Sequence, residues 1–147
     1  IIMFGEDLIL GYKKCIIDDK HRLFLPKFSF SEKGDSIAIS EDENGIILLS
    51  NIISLKQKIA SLEKSVGSSE NMKSLELLYL KLERLYVSCL ATSKVDSQRR
   101  MLIPEGVYDK HKINDTVILQ GCGDHLKVFD NEESHNEYVR KLNSSRI

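Results

Sequence analysis

Hydrophobic residues alternate with polar ones in short runs near both ends of this chain, and they recur with helical spacing in the middle. Period-two alternation and short apolar runs predict strands in the first half at residues 8–17, 23–25, 36–40 and 46–49. Farther along, two stripes with apolar residues every three or four positions predict amphipathic helices. The first stripe comprises Ile52, Leu55, Ile59, Leu62 and Val66. The second comprises Met72, Leu75, Tyr79, Leu82 and Tyr86, widened by Leu78, Leu85 and Cys89.

The second helix carries more apolar surface than one small partner would cover, so we expect both halves of the chain or another subunit to pack against it. Gly67 and the two serines after it predict a break between the two helices. Near the end of the chain, Asp130 and Glu133 have the spacing of a capping box and predict the start of a last helix. Residues 110–112 are expected to form a solvated loop.

Residues 17–26 and 95–104 share one pattern: an apolar residue, Asp, three variable residues, Arg, three apolar residues and Pro. The triplet Asp18, Arg22 and Pro26 therefore recurs as Asp96, Arg100 and Pro104. The apolar positions of the strands that follow also correspond, after a two-residue insertion in the second copy. This internal repeat predicts two copies of one module, each with strand, motif turn, strand, hairpin and helix.

Hydrophobic residues make up 41% of the 147-residue chain and charged residues 29%, which is typical of a globular protein. The net charge of −1 does not by itself favour nucleic-acid binding. The basic residues nevertheless cluster beside the two motif arginines. Those residues are Lys13, Lys14, Lys20, His21 and Lys27 near Arg22, and Lys94 and Arg99 near Arg100.

Three cysteines without paired spacing favour a reduced, cytoplasmic protein. No run of apolar residues is long enough for a membrane helix, and the first residues do not resemble a signal peptide. We expect the natural chain to start at Met3, after Ile1 and Ile2.

The repeated Asp and Arg allow two interpretations. An Asp side chain can shape a turn by accepting backbone hydrogen bonds, which leaves the Arg free to contact a phosphate or a guanine edge. Alternatively, the Asp can hold the guanidinium in an internal salt bridge that braces the hairpin. The residues alone leave both interpretations open.

No residues point to catalysis or to a cofactor. Cys122 and His125 have the spacing of half a zinc site, but no second Cys/His pair stands at a suitable distance, so a turn explains them better. Neither a nucleophile–base pair nor a phosphate-binding loop is present in the sequence. We therefore expect a protein that is not an enzyme and that binds neither metal nor cofactor.

The two Asp-x-x-x-Arg motifs, the helical hairpin between them and the segment at residues 118–130 resemble the MraZ family. MraZ proteins are bacterial transcriptional regulators related to AbrB-type swapped-hairpin proteins. The resemblance covers the chain from about Met3 to Leu142. It departs from the family pattern at His21 and Arg99, where glycine is usual, at Phe129, where tryptophan is usual, and in an insertion near residues 8–15.

The resemblance implies an α+β fold: two tandem swapped-hairpin, AbrB-like β repeats that form a pseudo-twofold, barrel-like core, with a helical hairpin between them and a C-terminal helix. It implies a first repeat with its helix at residues 1–66, a connecting helix at 67–91, and a second repeat with its helix at 92–147, all in one compact domain.

The functional implication is a sequence-specific transcriptional regulator, expected to be a repressor, that binds tandem repeats in promoter DNA as a homo-oligomeric ring. It would be cytoplasmic and associated with the nucleoid. Asp18, Asp96, Pro26 and Pro104 would be structural, and the expected DNA contacts are Arg22, Arg100, Lys20, His21, Gln98 and Arg99. The alternative from the residues is a self-assembling scaffold or partner-binding protein that does not bind DNA.

Overall fold

The computed structural model describes residues 8–30, 34–68 and 71–145, so the expected natural start at Met3 lies outside the described residues. Strands and helices both contribute substantially, and the predicted α+β class is confirmed. The elements in chain order are β1 (Tyr12–Ile16), β2 (Arg22–Phe24), β3 (Ser36–Glu41), β4 (Ile47–Asn51), α1 (Ile52–Ser68), α2 (Met72–Ser88), β5 (Cys89–Lys94), β6 (Arg100–Leu102), α3 (Glu105–His111), β7 (Thr116–Gly121), β8 (His125–Phe129) and α4 (Glu132–Ser144).

The two halves of the chain share one antiparallel sheet of six strands, in the order β1-β7-β8-β4-β3-β5. The first strand of each half pairs with a strand of the other half: β1 with β7, and β5 with β3. Between the halves, β4 also pairs with β8. The short strands β2 and β6 form a separate two-stranded antiparallel ribbon. Because strands of the two halves pair with each other in one sheet, neither half forms a complete sheet by itself.

The core follows the period-two pattern of the strands, because alternate side chains point to the same face. Ile37, Ile39, Leu49, Leu119 and Leu126 are all fully buried, and each lies on a strand of the six-stranded sheet. Burying an aliphatic side chain of this size contributes about 1.5–3 kcal/mol. The ribbon joins the same core through Leu23 and Met101, which are paired across β2 and β6.

Gly121 allows the segment before β1 to lie against the end of β7. Its N–H donates to the Gly11 carbonyl, and a Cβ at this position would lie only 2.6 Å from the Ile9 carbonyl oxygen. Ile9 itself exchanges two backbone hydrogen bonds with Gly123. A side chain at residue 121 would therefore displace the backbone of Ile9. Glycine is required here because the two segments approach so closely.

Helices α1 and α2 form the expected helical hairpin, but neither contains a fully buried residue. The predicted stripe of α1 is half-buried throughout. On α2, the inward side chains are Leu75, Leu78, Leu82 and Leu85, which are half-buried. Three other members of the predicted stripe, Met72, Tyr79 and Tyr86, are more than half exposed. Among the described residues, the chain itself therefore leaves part of the predicted α2 stripe uncovered.

Two local predictions are corrected. Residues 110–112 are not a loop, because Lys110 and His111 form the last turn of α3 and Lys112 is its left-handed C-cap. Helix α4 is capped by Asn131 rather than by Asp130: the Asn131 side chain accepts from the Ser134 N–H. Asn is as favourable as Asp at the N-cap position of a helix. The capping-box spacing therefore identified the helix but placed its start one residue early.

Candidate nucleic-acid interface

The first motif turn is held together by the Asp18 carboxylate. Its Oδ1 accepts hydrogen bonds from the N–H groups of Lys20 at 3.0 Å and Arg22 at 2.9 Å, and its Oδ2 accepts from Arg22 Nε at 2.8 Å. A short carboxylate thus satisfies two backbone donors of a tight turn and one side-chain donor at once. Asp18 therefore both shapes the turn and holds the arginine in an internal salt bridge.

The second motif turn repeats this arrangement. Asp96 Oδ1 accepts from the N–H groups of Gln98 at 2.8 Å and Arg100 at 2.9 Å, and Oδ2 accepts from Arg100 Nε at 2.8 Å. Of the guanidinium nitrogens, only Nε donates to the aspartate in both turns, and within the described residues the terminal nitrogens of Arg22 and Arg100 have no hydrogen-bond partner. Each guanidinium is therefore oriented at one edge and leaves its terminal donors available.

The residue before each motif arginine has a left-handed backbone. His21 has φ of 61° and Arg99 has φ of 58°, in the positions where the family pattern has glycine. A non-glycine residue in this conformation costs on the order of 1 kcal/mol. Each turn tip is also hydrogen-bonded to the residue that follows the opposite ribbon strand: Ile103 N–H donates to the His21 carbonyl and Leu25 N–H donates to the Arg99 carbonyl, each at 2.8 Å.

The ribbon places both motif arginines on one face. Arg22 pairs with Leu102, and Arg100 pairs with Phe24, while Leu23 and Met101 point to the core between them. Since alternate residues of a strand share a face, the four outer side chains lie together on the side away from the core. Arg100 also lies over the Phe24 ring, with Cζ 5.9 Å from the ring centroid.

The other predicted site residues lie at or beside the two tips. Lys20 and Gln98 occupy equivalent exposed positions, and each donates its backbone N–H to the motif aspartate. Pro26 and Pro104 follow the ends of β2 and β6, as predicted, and each carbonyl accepts a hydrogen bond from a residue three positions later. The repeat thus places the predicted residues on one short ribbon and at its two ends.

Sequence reasoning missed three side chains at this surface. Phe24 and Leu102 are 38% and 52% exposed beside the arginines, and their alternation with Leu23 and Met101 could have identified them. Tyr108 on α3 stacks on His21, and the Pro104-Glu105 start of that short helix was the signal overlooked. Elsewhere, residues 122–125 form a turn, and no cluster of three potential metal ligands occurs among residues 8–30, 34–68 and 71–145.

The motif carboxylates are easier to ionise than an ordinary aspartate. Partial desolvation raises the pKa of Asp18, but hydrogen bonds from Arg22 and the Lys20 N–H outweigh it and lower the pKa overall. For Asp96, the hydrogen bond from the Arg100 N–H is the largest cause of a lowered pKa. A lowered pKa in the folded state means that the ionised carboxylates stabilise the turns above about pH 3.9, and that this contribution is lost as the pH falls through the lowered values.

We therefore predict that both carboxyl groups titrate below the ordinary aspartate range when followed by carbon-13 NMR. In an Arg22→Ala variant, the pKa of Asp18 should rise because one hydrogen bond and one positive charge are removed. The pKa of Asp96 should not change, and it serves as the internal control. Equal titration of Asp18 in both proteins would contradict the Nε contact.

Comparison with known proteins finds relatives that are named MraZ. Over 123 residues, 84% of this chain and 82% of the relative, the chain is 28% identical to a transcriptional regulator MraZ of Mycoplasmoides gallisepticum. Over 113 residues, 77% of this chain and 72% of the relative, it is 24% identical to a transcriptional regulator MraZ of Mycoplasmopsis pulmonis. The predicted resemblance to the MraZ family is confirmed.

Both matches support MraZ family membership, although no family model matches the chain. Both MraZ relatives are named as transcriptional regulators. Each match extends over most of both proteins, so the similarity to MraZ concerns the whole arrangement of elements rather than one motif.

Proposed function

We propose that this protein is a sequence-specific DNA-binding transcriptional regulator of the MraZ type. The observation that carries the proposal is the common outer face of the β2–β6 ribbon, on which Arg22 and Arg100 are both oriented by an aspartate. The relatives named as transcriptional regulators support the same role. The proposed role involves no catalysis, and the proposed mechanism uses no cofactor.

DNA recognition would use the ribbon and its two tips. The major groove of B-DNA admits a two-stranded β-ribbon, and an arginine with free terminal nitrogens can donate two hydrogen bonds to a guanine edge or bind a phosphate. Arg22 and Arg100 would make these contacts. Lys20, His21, Gln98 and Arg99, at the tips, would contact the adjacent backbone or base edges.

The finer architecture that we propose is a pseudo-twofold pair of AbrB-like swapped hairpins with the domain division given above. It is supported by the exchange of strand partners, in which β1 pairs with β7 and β5 pairs with β3. The β2–β6 ribbon would lie on the pseudo-twofold axis, since it takes one strand from each repeat. Such symmetry would present two similar turns to the DNA.

We also propose that the chain assembles into a homo-oligomeric ring on tandem promoter repeats and acts as a repressor by occupying the promoter. The α1–α2 hairpin supports assembly, because α2 exposes the apolar side chains of Leu77, Leu80 and Val87. A groove of about 1060 Å³ between the hairpin and the sheet is lined by apolar side chains such as Leu48 and Leu62 and by charged ones such as Lys58 and Glu83. Several linked subunits would increase affinity for repeated sites by effective concentration.

A salt titration tests the proposed DNA binding. Duplex DNA carrying tandem repeats should bind more tightly than the same duplex with a scrambled sequence, and its log binding constant should fall with log salt by about 0.9 per phosphate contacted. A difference in affinity that persists at physiological salt indicates base recognition. Equal binding of both duplexes at every salt concentration would contradict sequence-specific recognition.

A second candidate function is a self-assembling scaffold that does not bind DNA. The exposed apolar residues of α2 favour it, together with the net charge of −1. In this case the Asp–Arg pairs would serve only to brace the two turns, and no duplex would bind even at low salt. The same titration therefore separates the two candidates.

The proposed regulator would act in the cytoplasm, in association with the nucleoid. Among the residues that the structure describes, no helix combines the length and the apolar character that crossing a bilayer demands. Localisation of a fluorescent fusion over the chromosome would test this part of the proposal.

A further inference from the structure

The two motif turns differ in what holds their tips. The His21 imidazole lies flat against the Tyr108 ring of α3, with centroids 3.8 Å apart and planes inclined by 7°. At the equivalent position of the second turn, Arg99 has no aromatic partner within the described residues. The stack thus makes one turn different from its otherwise matching copy.

We propose that Tyr108 is a positioning residue for DNA binding: its stack on His21 holds the first motif turn in the shape that presents Arg22. The inference rests on the proposed function, in which Arg22 contacts DNA. It assigns to α3 a role in the interface, although Tyr108 itself need not contact the nucleic acid.

The route from Tyr108 to Arg22 is short. His21 donates its N–H to the Asp18 carbonyl at 3.0 Å, and its own carbonyl accepts from Ile103 at 2.8 Å. The peptide bond from His21 leads directly to Arg22, whose N–H and Nε both bind Asp18. Because His21 has a left-handed φ, its backbone has a natural tendency to relax to other conformations. An aromatic stack on its side chain opposes that relaxation.

Tyr108 is itself on a fixed support. Helix α3 begins directly after Pro104, whose carbonyl accepts the N–H groups of Val107 and Tyr108, and Val107 is buried in the core. At the other end of the helix, Lys110 and His111 approach the Glu41 carboxylate of β3 at 3.4 and 2.8 Å. Both ends of the helix that carries Tyr108 therefore contact the rest of the fold. The ring can act as a platform for His21.

The test compares three variants at position 108. Tyr108→Ala removes the ring, Tyr108→Leu keeps apolar bulk without a flat face, and Tyr108→Phe keeps the stack. Hydrogen exchange of the Arg22 amide, measured by NMR, should accelerate about fivefold in the Ala and Leu variants and return to the original rate in the Phe variant. The Arg100 amide belongs to the turn without a stack and should not change in any of them.

DNA binding is measured with the same variants on tandem-repeat duplex. The Ala and Leu variants should bind about fivefold more weakly, and the Phe variant should bind like the original protein. In a His21→Gly background, where there is no imidazole to stack, Tyr108→Ala should cause no further loss. This double-mutant cycle isolates the contribution that passes through His21.

The outcomes are distinguishable. Unchanged Arg22 exchange in both the Ala and Leu variants overturns the positioning role, as does an equal acceleration of Arg22 and Arg100, which would indicate general loosening. An equal loss of binding with and without His21 also overturns it. If the original protein binds no duplex, the proposed function fails, and the amide exchange alone decides whether Tyr108 holds the turn.

Discussion

Replacement of Arg22 and Arg100 together by alanine should reduce binding to promoter DNA by on the order of 100-fold or more at physiological salt. Each good bidentate contact of an arginine with a base is worth about 1–3 kcal/mol, and the ribbon offers one such arginine from each turn. Fluorescence anisotropy with tandem-repeat duplex measures the loss. The slope of log affinity against log salt should also become shallower.

The fold should tolerate this change. Asp18 and Asp96 keep their backbone hydrogen bonds, and partly exposed ion pairs contribute about 0–1 kcal/mol. A matched control removes two positive charges elsewhere, by Lys73→Ala on α2 and Arg140→Ala on α4, and should leave binding unchanged. If the control loses as much affinity as the test variant, net charge rather than the ribbon determines binding. If the test variant binds normally, the proposed interface is wrong.

Lysine substitutions separate the two kinds of contact. A variant with Arg22→Lys and Arg100→Lys keeps both charges but lacks the planar fork that binds a guanine edge. It should retain affinity for scrambled duplex and lose preference for tandem repeats. Retained preference would indicate that the arginines bind only phosphates.

Introducing lysine at Leu77 and Val87 of α2 should dissociate the proposed oligomer. The two side chains are 60% and 75% exposed in the single chain, so the substitutions remove apolar surface that the proposed subunit contact would bury. Buried like charges at a subunit contact would cost several kcal/mol. Light scattering coupled to gel filtration should show a multiple of 16.8 kDa for the original protein and a single chain for the variant.

The control for this variant is Ser74→Lys, which adds a charge on the same helix without removing an apolar side chain. Thermal unfolding should distinguish dissociation from misfolding, because an exposed substitution usually changes stability by no more than about 0.5 kcal/mol. The dissociated chain should bind a single site as before but lose the additional affinity for tandem sites. An original protein that is a single chain at micromolar concentration would overturn the ring.

Local chemistry made the motif turns predictable from sequence. An Asp four residues before an Arg can shape a turn with its own side chain, whereas the left-handed backbone of His21 and Arg99 was not predicted from these residue types. The strands were also predictable, because period-two alternation of apolar and polar residues is a local pattern in the sequence. Which strands pair with each other was not encoded locally, since β1 meets β7 only in the folded chain.

The missed features depend on contacts across the fold. Helix α3 has only Val107 as a buried residue, so its helical periodicity was too short to recognise. The stack of Tyr108 on His21 joins residues from different halves and leaves no pattern along the chain. On α2, periodicity correctly marked Leu75, Leu78, Leu82 and Leu85 as inward, but it also included Met72, Tyr79 and Tyr86, because spacing reports which residues share a face and not what covers them.

The exchange of strands between halves has a consequence for folding during synthesis. Tyr12 pairs with Gln120, and Ser36 pairs with Lys94, so the sheet closes only after nearly the whole chain has left the ribosome. Contacts between residues so far apart in sequence require closure of long loops and slow the search for the native state. Until then, β1 and β3 expose unpaired edges to other nascent chains. The arrangement that brings two motif turns together thereby makes folding a late, all-or-none event.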